Sequence, residues 1–438
     1  MRNNFGKLLG LHGLLCVMLL SVACDKKERL PGKREAISGV TVTGRIPISP
    51  AVASQRASLT SRARIDAHVD IAGSKQHGSL NYAIPKSPKV LWRTSIGRGP
   101  IQTDMISFSG NIYAVNAGGE LVCISRRDGK KLWSKQIAKQ PDDGVFSGGI
   151  TADHGIIYAS TNIGDVIAID SKSQKELWKQ KLKFPLNGAP IYVSGKLIVT
   201  TVENKTYAME ASTGNIAWTK TLSQEQTIMS EFSTPAVAGG HAICAYSTGE
   251  VISIDVQSGI ENWTEVLLSA DMSKSGGVMS HISASPVVTG DTVLVANIES
   301  KMELLEYESG QKLWEKDIGT ISTPVVNNGW IFLITSDHEV SCFSIKTGEP
   351  KWVVPIGTLS SIDNKYRDRR WIGPMLINGE IVIFSEVGEI YVFNPTTGHE
   401  TRSGRYEAMK GVDIARVPMV VDGKLFALTR NADVVAFG

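Results

Sequence analysis

Cysteine is scarce in this 438-residue chain. There are five: Cys16 and Cys24 lie in an N-terminal apolar stretch, and Cys123, Cys244 and Cys342 are far apart in the body. No two are adjacent and no C-x-x-C-H or zinc-type spacing occurs, which excludes haem attachment and a structural zinc. The three body cysteines each sit in a strand-like run (Leu121-Val122-Cys123-Ile124, Ala242-Ile243-Cys244-Ala245, Val340-Ser341-Cys342-Phe343). There cysteine serves as a small buried hydrophobe; a disulfide between two of them stays open in an oxidising compartment. Also missing is any stretch after the N-terminus with the length and period of an amphipathic helix. No Ser-His-Asp or paired-carboxylate arrangement can be argued, and Asp153-His154 and Asp337-His338 fit polar turns. Net charge is only +3, with nine Lys/Arg against three Asp/Glu in residues 25–64 and a mildly acidic remainder. A nucleic-acid binder would carry its basic excess on the folded surface, so that class is excluded.

What the chain does have is a repeat. Tryptophan recurs at Trp92, Trp133, Trp178, Trp218, Trp263, Trp314 and Trp352. From Trp133 on, each follows a turn position by four residues, as in Asp128-Gly129, Thr213-Gly214, Ser258-Gly259, Ser309-Gly310 and Thr347-Gly348. An eighth copy keeps the turn, Thr397-Gly398, but has Arg402 where the tryptophan is due. A period of this size means one supersecondary unit copied and stacked. Within each copy a proline opens an apolar run (Pro190, Pro235, Pro286, Pro324, Pro374, Pro418). A glycine turn, two more short β-rich runs, the Thr/Ser-Gly turn and the tryptophan run follow. Four short strands per copy with turn signals at regular spacing is an all-β pattern, and proline at the head of a strand can spare its N–H.

Four antiparallel strands repeated around an axis make a β-propeller blade. The last copy, residues 415–438, has only three strands, and the run Val90-Leu91-Trp92 can supply its fourth. The expected fold is therefore an eight-bladed β-propeller over residues 86–438, closed by an N-terminal strand so that no sheet edge is left open between first and last blade. The tryptophan is expected to fill the wedge between blades, worth on the order of 2–3 kcal/mol each, and the glycine to take the positive-φ turn position. The polar residue four before it (Asp170, Glu210, Asp255, Asn394) is expected to bond the turn's N–H groups.

The N-terminus reads as a targeting segment over residues 1–23. Arg2 and Lys7 precede the apolar stretch Leu8 to Ala23, which is short of the roughly 20 residues a membrane span needs. It ends in Leu20-Ser21-Val22-Ala23-Cys24, which resembles the lipobox of bacterial lipoproteins and implies lipid on Cys24. Residues 24–85, broken by Pro31-Gly32, Pro47 and Pro50 and poor in apolar residues, are expected to be a flexible basic tether, with some order from Asp66 to about Tyr82.

The unit Ala208-Met209-Glu210-Ala211-Ser212-Thr213-Gly214-Asn215-Ile216-Ala217-Trp218 resembles the PQQ-like repeat of quinoprotein-type propellers. With a lipoprotein signal ahead of it, the whole is similar to the BamB-like family of outer-membrane assembly lipoproteins. That resemblance implies a periplasmic scaffold without catalysis or cofactor, held at the outer membrane, that binds the POTRA domains of a BamA-like barrel-forming subunit. It implies a monomer within a complex, with unfolded outer-membrane proteins as a further partner. Asp25 after Cys24 leaves the inner membrane as the alternative location, with a role in envelope maintenance. The other alternative is a PQQ-dependent dehydrogenase. Those enzymes typically have adjacent cysteines and a Ca²⁺ ligand set, and neither can be matched here.

Three long connections (Leu222 to Ser233, Leu268 to Ser285, Gly357 to Ile372) all join an outer strand to the next inner one and should emerge on one face. Carried over from the family by distance to Pro235 and Pro286, the partner-binding positions are Ile228, Met229 and Ser230, and His281 and Ser283. The family's charged residues at the Ser230, His281 and Ser283 positions are absent here, so apolar Ile228 and Met229 are the expected anchors. The third connection holds Lys365, Tyr366, Arg367, Arg369, Arg370 and Trp371, a basic stretch that reads as a solvated loop or a partner patch.

Overall fold

A computed structural model describes residues 46–65, 67–68, 75–77, 80–139, 148–186, 188–222, 233–268, 281–320, 322–356, 370–403, 409 and 412–438. They form eight separate four-stranded antiparallel sheets, the expected propeller. Blade 1 comprises β2 (Ile106–Phe108), β3 (Asn111–Val115), β4 (Glu120–Ser125) and β5 (Lys131–Gln136). Strands β6 to β29 supply blades 2 to 7 in the same order, starting at Gly148, Ile191, Ala236, Val287, Val325 and Trp371. Blade 8 is built from β30 (Met419–Val421), β31 (Lys424–Leu428), β32 (Asp433–Phe437) and, as its fourth strand, β1 (Val90–Ser95) from the other end of the chain. First strands of neighbouring blades touch one another and line a central cavity, so they are the inner strands.

Burial follows that geometry. The middle strands are covered on both faces and read as apolar runs, Val122-Cys123-Ile124 and Ile167-Ala168-Ile169 among them. Outer strands alternate, with exposed and half-buried residues taking turns from Leu177 to Lys181 in the strand Glu176–Lys181. Pro374 lies inside its strand, Trp371–Ile377, and not at the head. The register slips between Ile372 and Met375 at that point, and a bulge is where a strand tolerates a residue without an N–H.

The tryptophan and the turn glycine are one device shared between blades. In Trp178, Trp218, Trp263, Trp314 and Trp352 the indole Nε1 donates to a backbone carbonyl of the next blade's turn (Ala211, Val256, Tyr307, Ile345, Pro395) at 2.7–2.9 Å. The ring lies against the glycine of that turn. Gly214 has φ +76, and a Cβ there would stand 2.5 Å from Cε3 of Trp178. Glycine is thus required twice, by the left-handed backbone and by the ring. The equivalent glycines 129, 259, 310, 348 and 398 meet Trp92, Trp218, Trp263, Trp314 and Trp352 in the same way.

The turn bonds form as expected at three of four positions. Asp170 accepts from the N–H groups of Lys172 and Ser173, Asp255 from Gln257 and Ser258, and Asn394 from Thr396 and Thr397. Glu210 departs from this: its Oε1 takes the Lys196 ammonium at 2.6 Å. Glutamate has one methylene more than aspartate, and here the carboxylate reaches across the strand pair instead of folding back onto its turn. Cys123, Cys244 and Cys342 are buried free thiols in blades 1, 4 and 6.

Candidate partner-binding face

Antiparallel order sends the connections of each blade alternately to two ends of the ring. The turns from inner to second strand and from third to outer strand share one end, the turn face. The outer-to-inner connections share the other, the loop face.

The turn face is occupied by the chain's own N-terminal segment, and here the expectation of a flexible tether to residue 85 is corrected for the described residues. A one-turn helix α1 (Pro50–Ala53) packs on the strand Pro350–Pro355. Val52 and Ala57 are buried in a core cluster with Trp330 and Trp352. Lys351, 2% exposed, turns its ammonium onto the carbonyls of Val52 and Ala53 at 3.3 and 2.8 Å and onto that of Gln55. Such cationic capping satisfies helix-end carbonyls. Further on, Thr60 bonds Asn327, Arg64 pairs with Asp422 at 2.8 Å, and Tyr82 N–H donates to Leu376. His68 exchanges backbone bonds with Ser107 in blade 1, and Lys75 and Gln76 accept from Val237 and Val288 in blades 4 and 5. Its described residues therefore touch inner strands on opposite sides of the ring. His77 is fully buried, with Nδ1 2.9 Å from the Pro286 carbonyl. Burial pushes both His68 and His77 down to about 4, so both are neutral near pH 7. Few side chains of this segment are large and apolar, and most of its partners are backbone carbonyls and turn amides. That is why composition alone reads it as unstructured.

On the loop face the long connections fall mostly outside the described residues. So do Ile228, Met229 and Ser230, as well as Lys365 to Arg369 and the lipidation position Cys24. His281 and Ser283 are described, and they sit differently from the expectation. His281 is 2% exposed and its carbonyl accepts from Ile298 N–H at 3.0 Å. Its side chain is buried and not presented at the surface. Ser283 lines the central cavity. Trp371 is buried at the head of its strand, leaving Arg370 exposed beside it.

The cavity holds about 310 Å³. Its floor is His68, Leu80 and Tyr82 from the N-terminal segment, and its mouth on the loop face carries Arg370, Arg416, Gln102 and Asp104. Arg416 donates to the Gln102 carbonyl at 2.6 Å, with Nε 3.8 Å from Asp104 Oδ1. Among the described residues no group of three or more His, Cys, Asp or Glu could hold a metal ion. No described helix is long and apolar enough to cross a membrane.

Comparison with known proteins fits this architecture. A Yersinia pestis outer membrane protein assembly factor BamB is 24% identical over 366 residues, covering 80% of this chain and 89% of that protein. The crystal structure of BamB from Moraxella catarrhalis superposes with a TM-score of 0.68 at 16% identity, over 80% of this chain and 99% of that one. A quinohemoprotein alcohol dehydrogenase from Pseudomonas putida HK5 shares the fold at a TM-score of 0.61 and 12% identity, over 85% of this chain and 80% of that one. The family profile described as outer membrane protein assembly factor BamB matches residues 117–354. That match spans more than half of the chain, and the chain belongs to the BamB family.

Proposed function

We propose that this protein is an outer-membrane protein assembly factor. It acts as a non-catalytic scaffold, anchored by lipid on Cys24 at the periplasmic face of the outer membrane, whose loop face binds POTRA domains of a BamA-like subunit. The observation that carries the reading is the asymmetry of the two faces within a BamB-family propeller. On the turn face the described residues of the chain's own N-terminal segment bond to blades 8, 1, 4 and 5, which leaves the loop face to a partner. Loops on a rigid scaffold are the usual place for recognition. With His281 covered, the contact is assigned to Ile228 and Met229, apolar side chains of the kind that anchor an interface. Ser283 is withdrawn to the cavity.

The test is a pull-down of the full chain against the POTRA domains of the same organism's barrel-assembly protein, beside Ile228→Glu/Met229→Glu. Binding lost in the double variant supports scaffold and face together. Binding that survives keeps the function and discards those two residues. No binding removes the scaffold role; titration with pyrroloquinoline quinone and Ca²⁺ would then test the dehydrogenase alternative, and envelope fractionation would test inner-membrane retention through Asp25.

A further inference from the structure

Charge is unevenly placed on the turn face. In the sector of blades 6 to 8, five solvent-reaching cations have no ion-pair partner among the described residues: Arg56, Lys86, Lys89, Lys346 and Lys424. Arg56 follows α1, Lys346 lies in the turn after the third strand of blade 6, Lys86 and Lys89 lead into β1, and Lys424 opens β31. The acids of this sector are paired or recessed. Asp422 is taken by Arg64 at 2.8 Å, and Glu349, Glu380 and Glu400 are half-buried. Across the ring the turns of blades 4 and 5 carry Asp255, Asp291, Glu306 and Glu308 instead. On the loop face arginines stand beside acids, with Arg416 3.8 Å from Asp104 and Arg430 3.3 Å from Glu386.

Two further observations bear on what meets the basic sector. The described chain starts there. Ile46 packs against the cluster of Trp314 and Ile345, and Ser49 N–H donates to the Pro350 carbonyl at the head of blade 6's outer strand. Residues 25–45, which join this point to Cys24, hold six Lys/Arg against three Asp/Glu. The second is Ile48, 47% exposed in a shallow recess shared with Arg56. Apolar side chains flanked by cations suit the headgroup boundary of a bilayer.

We infer that the basic sector of the turn face docks on a bilayer surface carrying anionic phospholipid. Blades 6 to 8 lean toward the membrane, and the loop face is left open to its partner. The inference rests on the lipid anchor of the proposed function and adds to it a face and a lipid class. Each Lys or Arg close to an anionic surface strengthens the contact about fivefold. The anchor keeps the sector near the bilayer, so a patch of five such cations suffices to orient the ring without tight binding of its own.

The experiment carries the lipidated chain on vesicles of phosphatidylcholine alone or mixed with phosphatidylglycerol. One fluorophore is placed at Thr347→Cys on the turn face or at Ile163→Cys on the loop face, and a quencher sits on the lipid headgroups. Cys123, Cys244 and Cys342 are buried and do not compete for the label. The Thr347 position should be quenched severalfold more on the anionic vesicles, and the Ile163 position on neither. Raising salt from about 0.1 M to about 1 M cuts the screening length from about 10 Å to about 3 Å and should remove the difference. Lys86→Gln/Lys89→Gln, both at exposed positions, should lower the ratio of docked to undocked chain about 25-fold, two factors of about five. Equal quenching on the two lipids, quenching at Ile163 instead, or a double variant that behaves as the wild type would overturn the inference. Chain that stays on both vesicles without turn-face quenching keeps the anchor and loses the docking. Chain that binds only the anionic vesicles, turn face down, keeps the docking and loses the anchor, and chain that binds neither loses both.

Discussion

Replacing Gly214 by alanine tests the blade-to-blade device where its parts can be separated. Two costs add. Alanine at φ +76 is left-handed, which costs roughly 1–2 kcal/mol for a residue with a Cβ. That Cβ also meets Trp178 Cε3 at 2.5 Å and Cδ2 at 2.8 Å; forcing an extra methyl into packed surroundings costs about 1–3 kcal/mol. The total expected is about 2–5 kcal/mol. Gly195 in the same blade is the control: its φ is +82 and nothing lies within 4 Å of its virtual Cβ, so Gly195→Ala carries the backbone cost alone. At about 2.1 cal/mol/K per residue, the roughly 390 residues of the unit Ile46–Gly438 unfold with an entropy near 0.8 kcal/mol/K. Gly214→Ala should therefore lower the thermal midpoint by about 2–6 °C and Gly195→Ala by about 1–2 °C, read by calorimetry. The third arm is Trp178→Leu, which removes the ring. In that background Gly214→Ala should cost no more than Gly195→Ala does, a coupling of about 1–3 kcal/mol in a double-mutant cycle. Equal effects of the two glycine substitutions, or additivity of Gly214→Ala with Trp178→Leu, would refute the claim that the ring is what excludes a side chain there.

Other consequences are as direct. Lys351→Met takes the ammonium from the carbonyls of Val52, Ala53 and Gln55, of which Val52 keeps the Gln55 N–H, at a cost near 2 kcal/mol. Trypsin should then cut at Arg56 and Arg62 about 30-fold faster while the propeller's far-ultraviolet circular dichroism stays unchanged; an unchanged cutting rate would mean the ammonium does not hold the segment down. His68 and His77 are held neutral, down to about 4 from 6.5. The unfolded chain takes up protons first as pH falls, so stability should be level above pH 6.5 and drop by about 1.4 kcal/mol per unit per histidine between 6.5 and 4. Thermal midpoints from pH 8 to 4.5 test this, and His77→Asn should roughly halve that slope. Burial pushes the thiols of Cys123 and Cys244 up to about 11 and about 12, and that of Cys342 higher still. Iodoacetamide mapped by mass spectrometry should leave all three unlabelled in the native protein and label them in 6 M guanidinium; native labelling of any one would show that its blade opens.

How much of this was legible beforehand depends on where the partners of each residue lie. The blades were legible because every copy solves the same local problem. Thr213-Gly214 and Trp218 are neighbours in sequence, and their repetition announces a stack even though each ring docks on the following blade. The closing strand was legible because β30 to β32 lack a fourth member and Val90-Leu91-Trp92 is a fourth strand without a blade. The N-terminal segment was not, because its contacts are to residues from about 40 to 360 positions away, as with His68 and Ser107 or Arg64 and Asp422. It uses small side chains such as Ala57, and its largest anchor, Lys351, is a type of residue seldom buried. His281 looked accessible because it follows a long connection. Backbone bonds from Ile282 to Tyr246 and from Ile298 to His281 draw it into the wall, and no local pattern encodes that.

The one blade without its tryptophan follows from the same logic. Each indole docks under the turn between third and outer strand of the next blade. In blade 8 those two strands are β32 and β1, which come from opposite ends of the chain, so no turn joins them. Gly438 and Lys89 meet there only through a pair of backbone hydrogen bonds at 3.0 Å. An indole on the outer strand of blade 7 would have neither a glycine to lie on nor a turn carbonyl to bond, and an exposed tryptophan gains nothing from burial. Arg402, paired in register with Val392, stands at that position. Apolar contact between blades 7 and 8 comes from elsewhere: Ile84, on the approach to β1, packs against the cluster that holds Phe384, Met409, Leu425 and Phe437. Closing a propeller with its own N-terminus thus removes one blade-to-blade clasp, and the segment leading into the closing strand supplies the apolar contact in its place. The break in the tryptophan repeat at Arg402 therefore marks the seam of the ring and not a decayed copy of the unit.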